Sequence, residues 1–267
     1  MHELADRVAT RDRSDEPRGN ARGKLGELVG GEFQELPELS GPVAALNPSA
    51  VTLSPDGTSA AVLSPAGVSR VDADGAVTVD DRRGLLQPSY DVFGNVWTVK
   101  ASSPTTMRVS TPDGGTMQVA APWLSGLKPV AVRLSPDGSR IAALVEEDEE
   151  SVVLVAAVVR DEAGLPVRTT DVADTQMTTV GSPIDFDWID QSRFATLTRA
   201  GRASKVTIGG PGLFSQDQGS VPGGWQLSGG STRTQLRVLG EKGDLFASQG
   251  SGWQRVDNEV QLLAKRG

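Results

Sequence analysis

From about Leu25 onward, apolar residues come in short runs separated by Gly, Pro, Asp and Ser. Some runs alternate apolar with polar positions and others are apolar throughout, and none holds a 3.6-residue period over a helix length. Residues 51–63 read VTLSPDGTSAAVL and residues 132–144 read VRLSPDGSRIAAL, so one phrase occurs twice. Each copy predicts a strand, a tight turn and a returning strand. The stretches IAALV at 141–145 and VVLVAAVV at 152–159 have strand length and no polar face. Such runs predict strands covered on both sides by neighbouring layers.

The runs group into units. The first is VTLSPDGTSAAVLS, GVSRVDADG and AVTVDD; the second is PSYDVFGNVWTVK, MRVSTPDGG and TMQVAA. The third holds VRLSPDGSRIAALV, SVVLVAAVVRDEAG and a run to about Val172. PIDFDWIDQSRFATLT with KVTIGG makes the fourth, and WQLSGG, TQLRVLGEKGDLFASQG and WQRVDN the fifth. Turn markers at Gly57, Gly94, Gly138, Gln191 and Gly243 give steps of 37, 44, 53 and 52 residues. Four short strands per step is the period of a propeller blade. The expected fold is an all-β propeller of about five blades over residues 25–267. The alternative is six, should residues 25–50 pair with the C-terminal strands. Ring closure is expected through a strand around Pro42–Leu46. Residues 1–24 carry eleven charges of alternating sign and few large apolar residues, and are expected to form a disordered tail.

The repeated SPDG raises the question whether Asp56 and Asp137 are paired catalytic acids. Turn chemistry accounts for every position: proline presets φ, aspartate tolerates the next site, and glycine takes the left-handed one. Thr111-Pro112-Asp113-Gly114 is a third use of the same corner. A catalytic acid has no reason to recur at three hairpin tips, so these aspartates are read as holding turns.

Composition then narrows the chemistry. There is no cysteine, and the single histidine is His2 in the charged tail. That removes thiolate chemistry and zinc thiolate sites, and a Ser-His-Asp triad or histidine-ligated metal would have to draw its imidazole from His2 in that tail, which is not expected. No metal site and no cofactor are expected. The net charge of −8 and pI near 4.8 argue against nucleic acid as a partner. No apolar run approaches the length of a membrane-spanning helix. The acidic run EEDEE at 146–150 lacks the spaced ligands of a calcium loop and reads as a solvated hairpin tip.

No residue is singled out as catalytic, and two groups remain as candidate binding residues. Asp185 and Asp187 in IDFDWIDQ share one face of a strand and would form a carboxylate pair, or else bond neighbouring backbone. Tyr90, Asp91 and Trp97 in PSYDVFGNVWTV hold the only tyrosine and one of five tryptophans, as surface anchors or as packing between blades.

The succession LSPDGTSAAVLS, LLQPSYDVFGNVWTV, VRLSPDGSRIAALV with VVLVAAVVRDEAG, and DFDWIDQSRFATLT resembles the C-terminal β-propeller of the actinobacterial LpqB lipoproteins. The block PSYD-x-x-G-x-VWTV between two SPDG corners carries most of it, since TolB-like and WD40-like propellers also use SPDG. The resemblance implies a non-enzymatic accessory protein, anchored outside the cytoplasmic membrane by a lipidated N-terminal cysteine that this sequence lacks. It further implies a GerMN-type domain in the same parent protein, and action with the MtrA–MtrB two-component system in envelope homeostasis and division. The sensor histidine kinase extracytoplasmic domain would be the partner. Two other readings stand beside it: a propeller hydrolase or lyase using Asp185, Asp187 or Asp91, and a generic TolB-like scaffold.

Overall fold

The structure is a computed structural model that describes residues 6–11, 24–29, 32–148, 150–230, 235–250 and 252–266. Strands dominate, joined by one α-helix, Pro37–Ala45, and a short 3-10 turn at Pro122–Leu124. Five sheets are built from consecutive antiparallel strands, in the order the repeat predicts. The first blade holds Ala50–Leu53, Ala60–Ser64, Gly67–Asp72 and Gly75–Asp80. The second holds Ser89–Tyr90, Val96–Val99, Thr106–Ser110 and Thr116–Ala120. Pro129–Leu134, Arg140–Glu147 and the long strand Glu150–Arg160 form the third. Its outer edge is shared by Pro166–Thr169 and Asp174–Val180, which pair with different halves of that long strand. The fourth blade runs Ser182–Trp188, Phe194–Ala200, Ala203–Gly210 and Leu213–Pro222. The fifth runs Gly224–Ser228, Arg237–Gly240, Leu245–Gln249 and Gly252–Asp257.

A further sheet comes from the two ends of the chain. Val260–Leu262 pairs with Asp6–Arg11, which pairs with Lys24–Val29 and then Glu32–Glu35. The alternative count of six thus describes the ring with its composite closing sheet, and five describes the blades of continuous sequence. Residues 6–11 lie inside the segment read as a disordered tail. Their strand pairs on one side with Lys24–Val29 and on the other with a strand some 250 positions away along the chain, which local composition does not reveal. The expected closing strand around Pro42–Leu46 is instead part of the helix. Proline opens that helix and Glu38 sits in its first turn, both favourable to a helix start. Leu39 and Val43, one turn apart, are buried between the closing sheet and the first blade. The Ser40 hydroxyl ties this helix to the sheet, accepting from Leu25 N at 3.0 Å and donating to Leu36 O at 2.9 Å.

Both faces of each blade are covered, and one strand shows how. Along IAALV, Ile141, Ala143 and Val145 pack against the second blade with Trp97 and Met107. Ala142 and Leu144 point the other way, against Phe186 and Trp188 of the fourth. Because alternate side chains serve two different neighbours, this strand has no solvated face and its apolar run needs no polar alternation. Four more junctions around the ring, counting the composite sheet, carry comparable clusters among the described residues.

The SPDG corners are structural. Gly57 and Gly138 have φ of 77° and 66°, and their N–H groups bond back to Ser54 O and Ser135 O. In each corner the serine hydroxyl donates to the aspartate at 2.6 Å and accepts from the strand N–H five residues on at 3.0 Å. The Ser54 hydroxyl and the Thr58 N–H hold the Asp56 carboxyl below the usual carboxylate range. Thr111 and Asp113 repeat the contact at the third corner. One marker is displaced. Gly57, Gly94, Gly138 and Gln191 follow first strands, but Gly243 lies between the second and third strands of its blade. The true corner there falls between Ser228 and Arg237, where no SPDG stands to mark it.

The ends of the chain close the ring, so their removal tests the fold. Truncation after Asn258 should lower the melting temperature by about 10 °C or more in calorimetry, given roughly 2–4 °C per kcal/mol for a domain of this size. An unchanged melting temperature would mean that the five contiguous blades are stable without closure.

Candidate functional site

The first strands of successive blades contact one another and so surround a common axis. Outside the first blade, where Ala264–Arg266 pairs in parallel with Ala50–Leu53, the inner edge of such a strand has backbone groups that no further strand of its own blade reaches, and a buried backbone polar group must find a partner. Polar side chains supply it. Thr52 Oγ1 donates to Pro88 O at 2.7 Å and Gln87 Nε2 to Val51 O at 2.9 Å, joining the first blade to the second. Leu134 N donates to Ser89 Oγ at 3.2 Å, and Arg133 Nη1 to Gln87 O at 3.0 Å, joining the second to the third. Trp188 Nε1 reaches back from the fourth blade to Arg133 O at 3.3 Å. Ser228 Oγ donates to Ala264 O at 3.2 Å, and Gln226 Oε1 accepts from Leu263 N at 2.8 Å.

Asp185 and Asp187 belong to this ring. They stand two residues apart on the first strand of the fourth blade, facing the same side, and both are buried. Asp185 Oδ2 accepts from Leu227 N at 2.9 Å, and Asp187 Oδ2 from Gly229 N at 2.8 Å. The two carboxylates therefore bind the edge of the fifth blade as a neighbouring strand would. The approach is close enough that a side chain at Gly229 has no room: a Cβ there would lie 2.0 Å from Trp188 O.

Two buried cations answer these acids. Lys265 lies in Ala264–Arg266, which runs parallel to Ala50–Leu53. Its Nζ reaches Asp185 Oδ2 at 2.8 Å and Phe186 O at 3.1 Å, and also contacts Leu227 O. Arg133 Nη2 lies 3.7 Å from Asp185 Oδ1 and donates to Gln87 Oε1 at 2.8 Å. Burial pushes the Asp187 carboxyl up despite the pull of Lys265 and Arg133, and burial likewise lowers Arg133. Two acids and two bases leave the cluster with no excess charge. Sequence reasoning found the acids but missed Arg133 and Lys265, whose flanking residues look like any strand. A lysine directly after the apolar residues Leu262, Leu263 and Ala264 was the available signal.

Tyr90, Asp91 and Trp97 come together elsewhere, around the first corner of the second blade. Tyr90 is buried toward the first blade among Ala61, Val68, Leu85 and Val96, with its hydroxyl 3.2 Å from Ser59 Oγ. Burial raises the pKa of that phenol. Trp97 faces the third blade. Between them Asp91 accepts from Phe93 N, Asn95 N, Asn95 Nδ2 and Trp97 Nε1 at 2.9–3.0 Å. Arg160 of the third blade completes the shell at 3.0 Å from Asp91 Oδ2, with its guanidinium 4.9 Å from the Phe93 ring centroid. The structure thus brings Asp185 and Asp187 together at the axis and these three together at a blade junction. No partner is common to the two groups among the described residues.

Comparison with known proteins agrees with this architecture. The family described as the lipoprotein LpqB β-propeller domain matches residues 23–262. Lipoprotein LpqB of Streptomyces coelicolor is 28% identical over 149 residues, covering 54% of this chain and 23% of that protein. Lipoprotein LpqB of Streptomyces avermitilis is 26% identical over 187 residues, 66% of this chain and 30% of its own length. The chain therefore spans less than a third of these relatives. Among solved structures, a chain of a nidogen–laminin complex superposes with a TM-score of 0.63 at 11% identity, covering 97% of both chains. A Pseudomonas aeruginosa periplasmic gluconolactonase gives 0.51 at 15% identity, over 92% of this chain and 78% of that one. At such identities these two show the fold alone. No helix among the described residues is long and apolar enough to cross a membrane.

The axial pair generates a stability prediction. Lys265→Met leaves Asp185 buried without its closest cation and should cost about 3–5 kcal/mol in denaturant unfolding. Adding Asp185→Asn to that variant should recover at least ~1 kcal/mol, because the buried charge is gone while an acceptor for Leu227 N remains. Strictly additive losses would show that the two side chains are not coupled.

Proposed function

Because the chain belongs to the lipoprotein LpqB β-propeller family, we propose that it is the non-enzymatic binding module of an envelope lipoprotein. Its relatives are named as lipoproteins, which supports a place at the cell envelope. On this reading the propeller stands on the extracytoplasmic side, held to the membrane through the lipidated N-terminus of a longer parent protein that also carries a GerMN-type domain. Its partner is the extracytoplasmic domain of a sensor histidine kinase, in a two-component system of the MtrA–MtrB kind that governs envelope homeostasis and division.

The state of the axial carboxylates supports a binding role over a catalytic one. A propeller hydrolase or lyase needs an acid or base that is free to exchange protons with a substrate. Asp185 and Asp187 are instead engaged by backbone N–H groups of the fifth blade and compensated by Lys265 and Arg133. Asp91 is enclosed by five donors at a blade junction. Each of these acids works as structure, which leaves the outer surfaces of the ring for recognition.

Retention of the purified propeller on an immobilised sensor-kinase extracytoplasmic domain, at micromolar concentration and physiological salt, is the expected result. Failure to retain it there, with a folded propeller and a folded kinase domain, would overturn the kinase assignment.

A further inference from the structure

The outer surface between the first and second blades carries a second concentration of charge, separate from the axis. The outer hairpin of the second blade, Thr106–Ser110 with Thr116–Ala120, buries Met107, Val109 and Val119 against the third blade. Its polar side presents Thr106, Arg108, Thr116 and Gln118, with Arg108 and Gln118 paired directly across the two strands. Together with Met117 and with Arg82, which follows the first blade, these residues line an open cleft of about 430 Å³.

The two arginines of this cleft are held differently. The carboxylate of Asp80, with no exposed side-chain surface, accepts from Arg82 Nε at 2.9 Å, Arg82 Nη2 at 2.7 Å, Arg82 N at 3.1 Å and Thr98 Oγ1 at 2.5 Å. That bidentate contact fixes the plane of the Arg82 guanidinium. Arg108 Nη1 lies 3.8 Å from the same carboxylate, and Arg108 makes no side-chain hydrogen bond to protein among the described residues. Its donors are therefore available in a cleft whose other polar walls are two hydroxyls and an amide. Arg83 lines an adjoining hollow of about 650 Å³ that also includes Arg82. Counting the neighbouring Asp81, three guanidinium groups there face two carboxylates, a local excess of positive charge on a chain of net charge −8.

We propose that this cleft binds a ligand through a phosphate group. A carboxylate is satisfied by one guanidinium fork in one plane, whereas a tetrahedral oxyanion accepts from several walls at once. Here two guanidinium groups, Arg82 and Arg108, line the cleft with Gln118, Thr106 and Thr116. Asp80 acts as a positioning residue, aiming one cation into the cleft. The volume exceeds that of a bare phosphate and falls in the range of small-molecule sites, so an organic group attached to the phosphate is accommodated. The assignment is independent of the sensor-kinase reading.

Titration calorimetry on the intact chain, with glucose 6-phosphate, inorganic phosphate, glucose, citrate and a poly(glycerol phosphate) polymer as probes, tests it. Glucose 6-phosphate should bind saturably, inorganic phosphate more weakly, and glucose and citrate without a saturable phase. Tighter binding of the polymer would identify a phosphodiester polymer as the source of the phosphate, and tighter binding of the sugar phosphate a soluble monoester. Arg108→Gln removes the cation that Asp80 holds only at 3.8 Å, and Gln118→Glu places a carboxylate opposite it. Each should weaken binding about tenfold or more, with an unchanged melting temperature showing the fold intact. Absence of saturable binding by every phosphate probe would overturn the proposal. So would citrate binding as tightly as the sugar phosphate, or indifference to both substitutions.

Discussion

The innermost strand of a propeller blade has an edge that the blade's own consecutive strands leave bare; the distant strand Ala264–Arg266 covers it in the first blade, and side chains cover it at the other junctions. Ring geometry keeps the inner strands from pairing as a closed barrel, yet their backbone groups are buried at the axis. Side chains of Thr52, Gln87, Ser89, Arg133, Asp185, Asp187, Gln226 and Ser228 span the gaps instead, each reaching a backbone atom across a junction. Buried carboxylates at such positions need cations, and Lys265 and Arg133 meet that need. The charge at the centre of the molecule follows from its topology, with no catalytic purpose required to explain it.

The same topology dictates the apolar pattern. A blade covered on both faces distributes alternate residues between two neighbours, so its strands become apolar throughout and lose the alternation of a half-exposed sheet. Each blade also depends on the next, and a ring with a missing member leaves two faces bare. The chain meets this by using both ends in one sheet, with Val260–Leu262 inside and the N-terminal strands outside. Lys265, three residues beyond that strand, then fastens the end of the chain to the fourth blade across the axis.

The parts of this architecture that were legible in the sequence are those specified locally. The SPDG corners could be read because proline, aspartate and glycine each have a conformational reason to be there, and the five contiguous blades follow from their spacing. What lay hidden depends on residues far apart in the chain. The strand at Asp6–Arg11 has the composition of a solvated tail and pairs with Val260–Leu262. The stretch around Pro42–Leu46 read as a strand because a ring needs an edge partner, but its proline start and one-turn spacing of Leu39 and Val43 make a helix. Asp185 and Asp187 were recognised as sharing a face; whether that face met substrate or backbone depended on Leu227, Gly229 and Lys265, which no local pattern connects to them.

On the proposed reading, a ring whose axial charges are paired internally offers its outer surfaces for contacts. The account rests on the axial side chains acting as structural replacements for strand pairing. Native-state hydrogen exchange at Leu227, Gly229, Leu134 and Leu263 tests this directly, since their N–H groups bond only to Asp185, Asp187, Ser89 and Gln226 respectively in the ring described. The account predicts that these amides exchange only through openings nearly as costly as those that expose the blade interiors at Ala142 and Leu197. Fast exchange at all four, with the interiors still protected, would contradict it.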